Sequence, residues 1–353
     1  MKKIIIGLFS IILAISLAAC GSGTSAPPAS PVATEPTAAT EPAAPQQPQV
    51  VTITDQAGRT VEVGDVKTIS VCWYMANDFV LAMGLGDKLA SIGPHDDFQI
   101  MVLPGIPNLQ TVGRGRPDME KLAALNPDLF IHTVADKENI DAIERLGIPM
   151  IQIDPEDIDA TLEAYHLVGK ATGNEGRAIM LEEYYRNTVK IATNRIGNIP
   201  ENQRPTFVLL GAEKGKVADG SMMQSEMIIN GGGVNKAAAI AAEEFWPEVG
   251  VEQVFEWNPD VIFISRQAKY TAEEILQDPV WADLAAVKNG RIYELPSKLH
   301  NWENPGMATC LGTVWSMMKL YPEQYSEEEM DKLVSDFYKT VYNLDIERSA
   351  LDK

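Results

Sequence analysis

Cysteine is nearly absent from these 353 residues: there are three, and no two are close enough in sequence to form a zinc ribbon. A disulfide scaffold is thereby excluded, and the fold must stand on packing. Histidine is almost as scarce. A bare transition-metal ion needs three or four convergent His, Cys or carboxylate ligands, and four scattered histidines, His95, His132, His166 and His300, disfavour one. Basic residues number 29 against 49 acidic, a net charge of −20, which leaves no electrostatic attraction for a phosphate backbone and excludes nucleic acid as a partner. No apolar run reaches the ~20 residues of a membrane-spanning helix. Gly-x-Ser-x-Gly, Walker, His-Glu-x-x-His and strand-linked Gly-x-Gly-x-x-Gly motifs are also missing, so an extracytoplasmic enzyme is only the alternative from another functional class.

What is present begins with Lys2 and Lys3, then an apolar run of 14 residues, Ile4 to Leu17, with the length and flanks of a signal peptide over residues 1–19. Leu17-Ala18-Ala19-Cys20 resembles the lipobox of bacterial lipoproteins, which implies that Cys20 is acylated and becomes the mature N-terminus; an ordinary signal peptide cleaved near Ala19 is the alternative. Residues 20–49 carry seven prolines and one large aliphatic residue, Val32, too little to bury, and read as a lipidated tether.

From Val51 short β-rich runs alternate with helical stretches, the pattern of a mostly parallel sheet flanked by helices. Strands are expected at 67–72, 89–92, 110–112, 129–131 and 150–153, and a second series at 206–210, 261–264 and 291–293. Two α/β lobes follow, residues 50–156 and 201–353. In the helical linker 157–200, Ala178, Leu181, Tyr185, Val189, Ala192 and Ile196 recur at three- and four-residue steps, which predicts one long helix joining the lobes.

The chain also repeats itself. MEKLAALNPDLFI at 119–131 returns as VEQVFEWNPDVIF at 251–263, so that Glu120, Asn126, Pro127 and Asp128 recur as Glu252, Asn258, Pro259 and Asp260 at a constant offset of 132. Each copy reads as a short helix stopped by Asn-Pro and turned into a buried strand.

This duplicated Glu-x5-Asn-Pro-Asp, the Asn230-Gly231-Gly232-Gly233-Val234-Asn235 turn and the run from Trp281 to Tyr293 resemble the metal-chelate substrate-binding proteins of ABC importers, the class III periplasmic binding proteins. The resemblance covers about residues 51–345. It implies an α/β fold of two Rossmann-like lobes joined by one long helix, and a monomer that captures a metal chelate, a ferric siderophore first, with haem or cobalamin as alternatives and a bare metal ion behind them. No intrinsic cofactor is implied. The partner is a permease dimer with its ATPase subunits, and the place is the extracytoplasmic face of the bacterial membrane. Glu120 and Glu252 stand where that family presents one carboxylate per lobe to permease arginines.

Ligands of open α/β sheets collect at the carboxyl ends of strands. This nominates Trp73, Tyr74, Met75, His95, Arg114, Arg116 and His132 in the first lobe, and Lys214, Met222, Trp246, Arg266, His300 and Trp302 in the second. Aromatics, methionines and cations together suit an anionic or π-rich chelate. The tryptophans and methionines have core packing as the competing role. Cys72 and Cys310 read as buried free thiols in preference to a disulfide.

One outcome tests the anchor. Without the leader, 27 basic residues face 49 acidic ones, so electrostatics offers no second hold on an anionic membrane. Cys20→Ala is expected to abolish acylation and release the body into the aqueous phase of a detergent partition; retention with the membranes would contradict the assignment.

Overall fold

In a computed structural model the described residues are 50–240, 245–296 and 298–351. The leader, Cys20 and the tether lie outside them. An antiparallel hairpin of β1 (Val51–Thr54) and β2 (Thr60–Val63) comes first. Asp55 closes its turn by accepting from the Ala57 and Arg59 amides, and its other oxygen accepts from the Gln152 amide, which ties the hairpin to the first lobe.

The first lobe holds β3 (Ile69–Val71), β4 (Leu89–Ser91), β5 (Leu129–Thr133) and β6 (Met150–Ile153), all parallel in the order β4-β3-β5-β6. The second holds β7 (Thr206–Leu210), β8 (Val234–Asn235), β9 (Val261–Ile264) and β10 (Ile292–Glu294), parallel in the order β8-β7-β9-β10. The two sheets are thus the same motif twice. The strand expected at 110–112 is a single bridge from Gln110 to Ser91. The pair Val234–Asn235, read from the sequence only as part of a turn, is β8.

Strand alternation divides the core. Phe207 and Leu209 of β7, and Val261 and Phe263 of β9, face one large apolar cluster, whereas Val208, Leu210, Ile262 and Ile264 between them face a smaller one confined to the second lobe. In the first lobe Leu129 and Ile131 join the same large cluster, while Phe130 turns to a small outer one with Leu122 and Ile143. A period of two therefore gives each sheet an outer core of its own and an inner face committed to a core shared by both lobes.

Helices fill that shared core. The helix Glu175–Ile196 buries Ala178, Leu181, Tyr185, Thr188, Ala192 and Ile196 on one face and, at ~1.5 Å per residue, is about 33 Å long. At its start Asn174 donates to the Met83 carbonyl and Arg177 to the Ala82 carbonyl of the first lobe. At its end Ile196 packs on Gly232 of the second, where a β-carbon would lie 2.5 Å from the Ile196 side chain. It bridges the lobes as the sequence predicts.

A second tie comes from the helix Glu327–Tyr342. Phe98 of the first lobe stacks on His300 of the second, with ring centroids 3.8 Å apart, and meets Tyr338 and Tyr342 edge-on. Tyr338 Oη sits 3.1 Å from His300 Nδ1 and accepts from Trp302 Nε1 at 3.0 Å. His300 and Trp302, nominated as cleft residues, are consequently core residues: Trp302 is 1% exposed and His300 5%. The His300 imidazole is pushed down to about 3 by burial, with Arg266 adding to it, and is neutral at any physiological pH.

The repeat has a structural role in both copies. Asn126 (φ 44°) and Asn258 (φ 40°) end their helices in the left-handed region that asparagine tolerates, and the following proline blocks continuation. Asp128 then accepts from the Lys67 and Thr68 amides and the Thr68 hydroxyl, and Thr68 Oγ1 accepts from the Asp128 amide. Asp260 and Thr206 form the corresponding reciprocal pair. Each aspartate clips the start of the neighbouring strand, which fixes β3 beside β5 and β7 beside β9.

Tyr338→Phe removes the shared partner of Trp302 Nε1 and His300 Nδ1 while keeping the ring. Leaving buried polar groups unpaired costs about 1–3 kcal/mol, and urea unfolding is expected to show a loss of that size; a change below ~0.5 kcal/mol would mean that the aromatic packing alone joins the lobes.

Candidate functional site

A cavity of about 410 Å³ lies between the lobes at the carboxyl ends of their strands. Tyr74, Pro94, His95, Asp96 and Gln99 form its first-lobe wall; Arg266, Gln267, Asn301 and Asn304 form the other. Tyr74 opens the helix Tyr74–Ala82 just past β3, and residues 94–96 follow β4. Arg266 and Gln267 follow β9, and the 301–304 turn follows β10. The parallel sheets themselves deliver these residues to one edge.

Each wall is pinned from behind. In the first lobe Asn77 donates to the Pro94 carbonyl and to Gln99 Oε1, and accepts from the Gly93 amide. Gln99 Nε2 donates to Asp78 Oδ1 at 2.7 Å. Asp96 caps the helix Asp97–Val102 by accepting from the Gln99 amide. In the second lobe Glu303 Oε1 accepts from Ser265 Oγ and from the Arg266 amide, both at 2.8 Å, which ties the end of β9 to the 301–304 turn. Gln224 Nε2 donates to the Glu303 carbonyl, and Asn301 Oδ1 accepts from the Glu303 amide.

The charges are few. Arg266 is exposed, and among the described residues its guanidinium has no ion pair. Burial pushes the Asp96 carboxyl up against the opposing effects of the Gln99 amide, Arg266 and His95. Asp78, half-buried behind Gln99, is pushed up to about 7 by desolvation, with the Asp96 charge adding and the Gln99 bond opposing. Burial, together with the Asp78 charge, raises the Tyr74 phenol against its hydrogen bond to Asn304. The site therefore offers one guanidinium, an imidazole, a phenol, four amide side chains and the Asp96 carboxyl, whose charged form burial disfavours, a surface that hydrogen-bonds an oxygen-rich anion.

Of the residues nominated from sequence, Tyr74, His95 and Arg266 line this cavity. Trp73 and Met75 are half-buried beside it, Trp73 against the shared core. Arg114 is exposed on the loop whose Gly115 amide donates to the Cys72 carbonyl at the end of β3, and Arg116 is exposed and paired with Glu138 at 2.8 Å. Lys214 pairs with Asp278 at 2.7 Å and lies over the Tyr270 ring. Met222 is in the shared core. Trp246, 7% exposed, packs across Gly211 beyond β7 instead of facing a ligand: a β-carbon there would lie 2.6 Å from the indole.

His132 is also corrected. It is fully buried, with Nε2 2.8 Å from Asp136 Oδ2 and Nδ1 3.8 Å from Cys72 Sγ. The order Cys-His-Asp looks like nucleophile activation, but burial, with Asp136 adding, pushes the Cys72 thiol up to about 12, and burial lowers His132 against the pull of Asp136. A protonated, inaccessible thiol is no nucleophile. Cys72 and Cys310 are both free and buried. Gln99, Gln267, Asn301 and Asn304 escaped the sequence reading because an uncharged amide at a strand end has no signature apart from its position.

Glu120 and Glu252 are exposed in the first turns of the helices Met119–Leu125 and Val251–Trp257. Each helix runs back along the sheet before the strand it feeds, so both glutamates stand at the carboxyl edge, on the same side as the cavity. Among the described residues neither carboxylate has an ion pair.

With this geometry in place, comparison with known proteins identifies the class. The sequence pattern of the periplasmic binding protein family matches residues 95–299, and the chain belongs to that family, the solute-binding proteins of ABC importers. The molybdate-binding protein MolA of Haemophilus influenzae is 25% identical over 280 residues, 73% of this chain and 76% of that protein. The Fe(3+)-citrate-binding protein YfmC of Bacillus subtilis is 25% identical over 248 residues, 69% of this chain and 77% of its own length. A periplasmic solute-binding protein from Veillonella parvula superposes with a TM-score of 0.72 at 22% identity, covering 85% of this chain and 95% of that one; at such identity the likeness concerns the fold.

Proposed function

We propose that this protein captures a small, oxygen-rich, anionic metal chelate between its lobes, with a ferric chelate of siderophore or hydroxycarboxylate type first, and delivers it to an ABC permease while anchored to the membrane through Cys20. The observation that carries this reading is Arg266: a guanidinium without an ion pair among the described residues, in an inter-lobe cavity whose other polar lining is amides, a phenol, an imidazole and the Asp96 carboxyl, whose acidity burial weakens. Charge-assisted bonds to carboxylate oxygens are the strong contacts such a wall can make. About 410 Å³ suits a small chelate, and the polar lining gives an apolar haem plate little to pack against, so haem and cobalamin rank below it. Among the described residues no group of three His, Cys, Asp or Glu could hold a bare metal ion. The second reading is a tetrahedral oxyanion, favoured by the resemblance to the molybdate-binding protein.

Titration calorimetry with ferric citrate, sodium molybdate and haem ranks these ligands. Arg266→Ala is expected to weaken the preferred anion by about 1–3 kcal/mol without unfolding the protein. Unchanged affinity would place the ligand elsewhere.

Glu120 and Glu252 serve docking in this reading, each pairing with permease arginine at the wet rim of the interface. Glu120→Gln with Glu252→Gln should leave ligand affinity intact and cut uptake, by an amount corresponding to about 2–5 kcal/mol if the partner arginines are left unpaired. Normal uptake by the double variant would reduce the repeat to a duplicated fold element.

A further inference from the structure

Behind Arg266 lies a charge that the ligand reading does not use. Glu303 is 2% exposed, and Oε2 has no hydrogen-bond partner. Oε1 is held by Ser265 Oγ and the Arg266 amide. Among the described residues it has no ion pair. The cavity wall is built around it: Arg266 just past the end of β9, Asn301 two residues before it and Asn304 directly after it all line the cavity. A second orphan, Gln224 Oε1, belongs to the side chain whose Nε2 donates to the Glu303 carbonyl. A carboxylate here has too few donors, whereas a neutral acid buries no uncompensated charge.

We propose that Glu303 is the specificity-determining residue of the cleft, selecting for anions by taking up a proton when an anion occupies Arg266; this rests on the anionic-chelate reading above. As a carboxylate Glu303 shares the field of Arg266 without an ion pair to it, and an arriving anion must lie near a second negative charge. As an acid it removes that repulsion and leaves the whole Arg266 charge to the anion. The exchange is balanced: one proton passes from solvent to a Glu303 oxygen as the anion binds, and returns when the anion leaves.

Acidity agrees with the geometry. Desolvation pushes Glu303 up to about 7, against the Ser265 and Arg266 bonds and the Arg266 charge. The other titratable groups facing this region are His95, Tyr74 and Asp96 on the opposite wall, the latter two raised chiefly by burial, His300 behind it, held neutral, and Asp78 beyond Gln99. Asp78 titrates in the same range, so a variant has to separate the two acids. The sign follows from linkage: a ligand that favours the protonated acid binds tighter as pH falls through the free-state pKa, and affinity drops as pH rises above it.

The test measures affinity for ferric citrate and for molybdate, from about pH 6 to 8.5. One linked proton limits the fall in wild-type affinity to about tenfold per pH unit above the free-state value. The expected result is a decline near that limit in the wild type, a flat profile in Glu303→Gln with binding about tenfold tighter than wild type at about pH 8.5, and a retained slope in Asp78→Asn. Calorimetry of the wild type in buffers of different ionisation enthalpy needs no variant and should show proton uptake on binding at about pH 8. Binding without proton uptake, or an unchanged slope in a folded Glu303→Gln protein, would overturn the proposal and leave the chelate reading standing. Failure of both anions to bind at any pH would overturn the chelate reading itself.

Discussion

The stacked pair Phe98–His300, bolted by Tyr338 to Trp302, sets the distance between the lobes, and the cleft depends on that distance. Phe98 immediately precedes Gln99, and His300 immediately precedes Asn301; Gln99 and Asn301 face each other across the cavity. The helix Glu175–Ile196 holds the same two lobes along another line, and the inner faces of both sheets share one apolar core. Opening or closing such a cleft would expose core surface at roughly 25 cal/mol per Å² of apolar area, a steep cost for a hinge. The site is accordingly preformed, and its selectivity resides in side-chain chemistry instead of lobe motion.

Much of this fold was legible in the sequence. The step pattern Ala178, Leu181, Tyr185 predicts the bridging helix, and the duplicated Asn-Pro-Asp marks corresponding points of two sheets that share one strand order. Local chemistry writes those signals: a proline stops a helix, and an asparagine accepts the left-handed cap. The partner of each aspartate was not legible, because Thr68 lies 60 residues before Asp128 and Thr206 54 before Asp260, and no local pattern announces such a pairing.

The candidate site was legible only where position and exposure coincide. Strand ends led to Tyr74, His95 and Arg266, yet the same rule chose His132, His300 and Trp302, which the fold buries. For His300 and Trp302 the cause is the helix Glu327–Tyr342, whose Tyr338 reaches back under the cleft; nothing near residue 300 signals an element 27 residues further on. His132 is buried on the outer face of the sheet beside Phe130 and Cys72 because it belongs to β5 itself. The amide side chains that form much of the wall carry neither charge nor ring, and only three-dimensional convergence distinguishes them.

Selectivity by side-chain chemistry requires lobes whose spacing does not change when ligand binds. Spin labels placed on exposed residues of the two lobes, with distances measured by pulsed electron resonance in the absence and presence of saturating ferric citrate, test this most directly. A preformed cleft predicts inter-lobe distances that agree within about 1 Å, as in pre-organised complexes, whereas closure by more than about 2 Å would show that the aromatic bolt yields and that the cavity described here is only one state of the site.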